Sequence, residues 1–104
     1  MSNKDIKPVT ILTRADYLEG VLNMIPGISI EDLDGSRKAY RDATDAAVKK
    51  IMGLPHHPAR VSNRTDGTAI HMMGLSATST TGFEGAARNW IKQARTKFGG
   101  QEHA

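Results

Sequence analysis

Cysteine is absent from this 104-residue sequence, which removes disulfides, thiolate nucleophiles and cysteine-held zinc or iron–sulfur centres from consideration. Aromatic residues are scarce, with one Trp, two Tyr and two Phe, and none is interleaved with basic residues as base stacking on single strands requires. No apolar run approaches the roughly 18 residues of a spanning helix, and the polar start from Met1 to Asp5 lacks the apolar stretch of a signal peptide. A cytoplasmic location is therefore expected. At 11.3 kDa the chain is the size of one domain, and division would leave pieces too small to bury a core. The expectation is a single domain over residues 1–104, with disordered ends at about 1–5 and 100–104.

The formal net charge is +3, a modest excess that is unevenly distributed. Residues 1–52 hold eight Lys/Arg and eight Asp/Glu, whereas residues 53–104 hold Arg60, Arg64, Arg88, Lys92, Arg95 and Lys97 against Asp66, Glu84 and Glu102. All four histidines also lie in that second half.

Apolar periodicity defines three helices. Leu18, Val21, Leu22 and Ile25 share one face of the first, expected over 14–25, with Thr13 as cap, Asp16 as its partner in the first turn and Pro26 as the stop. The second, over 36–52, gathers Tyr40, Ala43, Ala47, Val48 and Ile51 on one side. It opposes Lys38 to Asp42, Arg41 to Asp45 and Asp45 to Lys49 on the other, and Gly53 ends it. The third, over 81–98, places Phe83, Ala87, Trp90, Ile91, Ala94 and Phe98 on one arc, and Thr81 with Glu84 has the spacing of a capping box. Trp90 and Phe83 are its largest apolar groups and are expected at the centre of the core.

Between the second and third helices the period changes. Residues 59–73 read as a β-hairpin around Asp66 and Gly67, a pair that suits a type I′ turn. With the turn there, Thr65 faces Thr68, Asn63 faces Ile70 and Val61 faces Met72. Val61, Asn63, Ile70 and Met72 then share the core side, and Arg60, Ser62, Arg64, Ala69, His71 and Met73 the other. Val9 to Leu12, apolar and β-branched after Pro8, is a candidate third strand. The expected fold is α+β, a small antiparallel sheet packed against three helices.

The basic residues of the second half are the first functional candidates. Arg88, Lys92 and Arg95 recur at i, i+4 and i+7 beside the apolar arc of the third helix, while Arg60 and Arg64 lie on the outer side of the hairpin. Joined, they would form a face able to neutralise several phosphates or to meet an acidic protein surface. The competing reading is a solvated stripe that complements the helix macrodipole. Thr80 and Thr81 are candidate anion contacts at a helix N-terminus, against the commoner role of capping. The glycine and lysine spacing of a P-loop is absent.

His56 and His57, with Asp66 or His71, are the candidate metal ligands. Adjacent histidines in a proline-flanked loop point in different directions, so no metal site is assigned. Met73 and Leu75 complete the core or form an adaptable apolar contact, and an open hairpin edge could pair across a homodimer. No nucleophile, base and orienting group occur together, so neither catalysis nor a cofactor is expected.

Residues 59–98, a hairpin followed by a helix, resemble the closing half of a double-stranded-RNA-binding domain in the order of their elements. Such domains begin the final helix with a lysine cluster, where residues 80–85 here read Thr-Thr-Gly-Phe-Glu-Gly. Two helices precede the hairpin where that family has one, and no family is assigned. The reading that results is a non-enzymatic accessory or regulatory protein acting by binding through a basic face, with nucleic acid as the leading partner. The alternative is a protein-interaction module or inhibitor, of the size seen in phage or mobile-element proteins, acting through an apolar or sheet-edge surface.

Overall fold

The computed structural model describes residues 7–27 and 29–99. Helix α1 spans Pro8–Asn23, α2 Leu33–Met52 and α3 Phe83–Ala94. Strands β1 Arg60–Arg64, β2 Gly67–Met72 and β3 Leu75–Ser79 form an antiparallel sheet in the order β1-β2-β3. The fold is α+β, as the periodicities predict. The ends expected to be disordered, 1–5 and 100–104, lie outside the described residues.

The third strand is not at residues 9–12. Those residues form the opening of α1, with Pro8 in its first turn, because the fixed φ of proline suits that position and its missing N–H is no loss there. Buried Ile11, Ala15, Leu18 and Leu22 extend the helical stripe one turn further back than the expected start at Arg14. Thr13 is consequently interior rather than a cap, its hydroxyl donating to the Val9 carbonyl at 2.8 Å. The strand that completes the sheet is β3, drawn from the small-residue segment expected to be a connector. Leu75 and Ala77 on it are buried while Ser76 and Thr78 are exposed, the alternation of a half-buried strand.

The hairpin turn falls one position earlier than expected. Arg64 pairs with Gly67, Asn63 with Thr68, Val61 with Ile70 and Arg60 with His71, so Thr65 and Asp66 make the turn. Gly67 carries a φ of 147°, and a Cβ there would run into the Ser79 carbonyl of β3. The resulting slip moves each partner by two residues and leaves the faces of the paired strand residues unchanged, since side chains alternate with a period of two. Met73, expected on the outer side, instead lies beyond the end of β2 in the turn and is buried in the core. Positive φ at two successive residues occurs instead between β2 and β3, at Met73 (54°) and Gly74 (81°), the type I′ signature.

Two helix starts also differ from expectation. Helix α2 begins three residues early because Asp32 accepts from the Gly35 N–H at 3.2 Å as its N-cap. Helix α3 begins at Phe83 behind Gly82 without a side-chain cap, so Thr81 and Glu84 form no capping box. At its far end α3 closes in a π-helical turn, Arg95–Gly99.

Helix α3 lies along the inner face of the sheet, and α1 packs against α3. Phe83, Ala86, Ala87, Trp90, Ile91 and Ala94 of α3 are all buried. Trp90 is fully buried and donates its indole N–H to the Met72 carbonyl at 3.1 Å, which anchors helix to sheet and satisfies its one polar group. Met73 and Leu75 are buried members of the same cluster and offer no contact surface. Helix α2 is the loosest element: of its 20 residues only Ala47 and Ile51 are buried. Tyr40 ties it to α3 by donating to Glu84 at 2.9 Å.

Candidate functional site

Alternation gives the sheet two unlike faces. Partners across an antiparallel ladder share a side, so Val61, Asn63, Thr68, Ile70, Met72, Leu75 and Ala77 look toward α3, while Arg60, Ser62, Arg64, Ala69, His71, Ser76 and Thr78 look away. Every residue of the second set is exposed except Ala69, which lies between its partners Ser62 and Thr78. No aromatic residue occurs on this outer face.

The five basic candidates are divided by the sheet. Arg60 and Arg64 stand on the outer face, exposed, with no ion-pair partner among the described residues. Arg88, Lys92 and Arg95 belong to α3 and its closing turn, behind the opposite face. Arg88 is paired with Glu84 at 3.0 Å. Arg95 reaches back to α1, where Asp16 accepts at 2.8 Å and Glu19 at 3.0 and 3.1 Å. Those bonds push the Arg95 guanidinium further above its ordinary value and, with its charge, hold the Glu19 carboxyl below the usual carboxylate range. Arg95 is thus a clamp between α1 and the end of α3, and Lys92 is the free, exposed cation of that group among the described residues.

Thr80 is exposed, and Thr81 is already engaged. Its hydroxyl bonds that of Ser79 at 2.7 Å, and its N–H donates to the same Ser79 oxygen at 3.1 Å. The pair sits against Gly85, where a Cβ would collide with both hydroxyls. This hydroxyl cluster is local packing at the helix entrance.

The histidines are arranged more selectively than their spacing suggests. His57 and His71 line one hollow of about 400 Å³ with Pro58, Arg60, Gly74 and Ser76, whereas Asp66 sits in the turn at the other end of the hairpin. No three His, Asp or Glu side chains among the described residues gather as metal ligands. His71 Nδ1 lies 2.6 Å from the Ser76 hydroxyl, its cross-strand partner, which fixes the ring. His57 has a φ of 51°, a left-handed conformation that non-glycine residues adopt sparingly.

Arg14 explains how that conformation is held. One of its guanidinium nitrogens donates to the His57 carbonyl and another to the His56 carbonyl, each at 2.7 Å. It has no carboxylate partner among the described residues, and burial draws it below its ordinary value despite the nearby Tyr17. Arg14 and Ser76 were not among the sequence candidates. Ser76 could have been found by extending the alternation to a third strand, whereas Arg14 acts through loop carbonyls that no side-chain pattern reveals.

The covered and open edges also differ. On β3 the Ser76 and Thr78 carbonyls accept from the side-chain amides of Gln93 and Asn89 at 3.0 and 2.8 Å. On β1 no further backbone pairing occurs among the described residues. No helix of the described residues is long and apolar enough to cross a bilayer. In comparisons with known proteins, no family model, no curated protein and no solved structure matches this chain.

Proposed function

We propose that the chain is a non-enzymatic, cytoplasmic accessory protein that binds nucleic acid through the outer face of its sheet. The observation that carries this reading is uncompensated charge on an open surface: Arg60 and Arg64, exposed and unpaired among the described residues. Around them His71, Ser62, Ser76 and Thr78 supply further hydrogen-bonding groups suited to phosphate oxygens. The lack of an aromatic platform directs contact to the sugar–phosphate backbone rather than to stacked bases. Arg88 and Arg95 are occupied by carboxylates, which leaves Lys92 as a peripheral contribution.

The test is fluorescence anisotropy of labelled random duplex and single strand at low and near-physiological salt. Binding should fall log-linearly with salt as counterions compete. It should disappear in the Arg60→Glu/Arg64→Glu double variant and change little in Lys92→Glu. Absence of binding at low salt would remove this reading. A second reading, contact with another protein, is favoured by the apolar seam between α1 and α2. Val21, Met24, Ile25, Ala43 and Ala47 line a hollow there of about 160 Å³, with Met24 73% exposed. Capture that resists salt and is lost in Met24→Asp would select it.

A further inference from the structure

We propose that the hollow between the 55–58 loop and the β2–β3 turn binds a phosphate monoester, which on the nucleic-acid reading above is the terminal phosphate of a strand. The inference rests on that reading for the source of the phosphate alone. Its first support is the chemistry of the walls: two imidazoles, from His57 and His71, a guanidinium from Arg60 and a hydroxyl from Ser76, with no carboxylate among the lining residues. A site of that composition selects an oxyanion.

The second support is where these groups come from. Arg60 is on β1, His71 on β2, Ser76 on β3 and His57 on the loop before β1, so donors enter the hollow from four segments of the chain. An internal phosphodiester presents two free oxygens and one charge. A terminal monoester presents three oxygens and close to two charges, which matches convergence from several segments better than the flat run of Arg60 and Arg64 along one strand does.

The third support is that the His71 ring and the His57 backbone are held before any ligand arrives. The Ser76 hydroxyl fixes His71 at Nδ1 and leaves Nε2 as the free ring nitrogen. An anion that takes both the Nε2 proton and the Ser76 O–H selects the imidazolium, whose Nδ1–H donates to the Ser76 oxygen; in the neutral tautomer whose Nδ1 accepts from Ser76, only Nε2–H faces the anion. His57 is kept in its left-handed conformation by the two Arg14 hydrogen bonds to the loop carbonyls. A rare backbone conformation secured by a guanidinium from another element is a feature of positioned sites. Arg14 is a positioning residue here, because it holds the loop through those carbonyls and the wall through the Met72 sulfur at 3.2 Å, and is not itself one of the groups that line the hollow.

The experiment uses the full chain and two readouts. Side-chain imidazole NMR follows a titration with inorganic phosphate, and anisotropy compares one short oligonucleotide carrying a terminal phosphate with the same strand carrying a hydroxyl. Phosphate should shift the His57 and His71 resonances, and the phosphorylated strand should bind about tenfold more tightly, the effect of adding charge-assisted hydrogen bonds. His57→Asn, which tolerates the left-handed conformation, and Arg60→Gln should each erase that difference without lowering the melting temperature. Arg64→Gln should weaken both strands and preserve the difference. Unshifted histidines together with equal binding of the two strands would overturn the site. Shifted histidines with neither strand binding would support it with a small phosphate ester as ligand, and would sink the nucleic-acid reading instead.

Discussion

The two faces of the sheet are made from alternate residues of the same three strands and obey different constraints. On the inner face Ile70 and Met72 are almost fully buried against Trp90 and its neighbours, in a close-packed interior where a change of one methylene is felt. On the outer face Arg60, Ser62, Arg64, His71, Ser76 and Thr78 are exposed and no packing requirement selects them. Residue identity on the inner side is explained by the fold. On the outer side it is not, and that is where a binding role has room to reside.

Four outcomes would break or sharpen this contrast. Trp90→Ala should have the largest effect, about 3–5 kcal/mol of lost stability by chemical denaturation, because it empties the centre of the core and removes the indole bond to the Met72 carbonyl. Gly67→Ala follows, at about 2 kcal/mol, since its φ of 147° and the adjacent Ser79 carbonyl leave no place for a side chain. Acidification should act more weakly. The Glu19 carboxyl has a folded-state pKa held below its unfolded value by Arg95, so its contribution is present at neutral pH and is lost as pH falls through the ordinary carboxylate range and below. The Glu19→Gln variant should lose that part of the acid sensitivity in pH-dependent melting. Smallest of all, Arg60→Ser/Arg64→Ser should leave stability within about 0.5 kcal/mol; a loss as large as that of an inner-face truncation would show that the outer arginines are structural and erase the distinction.

Much of this arrangement was legible in the residues. The amphipathic arc of α3 and the burial of Trp90 and Phe83 followed from helical periodicity, because a stripe on one side of a helix has few other uses. The sorting of Arg60, Arg64 and His71 away from Val61, Ile70 and Met72 survived a misplaced turn, since displacement by an even number of residues preserves which way each side chain points. The strand Leu75–Ser79 was missed because its small hydroxylated residues have modest β-propensity, and its pairing with β2 is a tertiary fact. Val9 to Leu12 misled for the converse reason: β-branched composition outweighed the continuation of the Leu18 and Leu22 stripe back through Ala15 to Ile11. The separation of Arg60 and Arg64 from the α3 cations, and the capture of Arg95 by Asp16 and Glu19, depend on how α3 lies on the sheet, which no local pattern encodes.

The unequal edges set a limit on self-association. Asn89 and Gln93 occupy carbonyls along β3 that an incoming strand would use, so the sheet can be extended only from β1. A structure that can grow from one side alone can close into a pair but cannot propagate, because joining two copies consumes both available edges. Pairing through β1 therefore does not supply the repeating template from which a fibre grows.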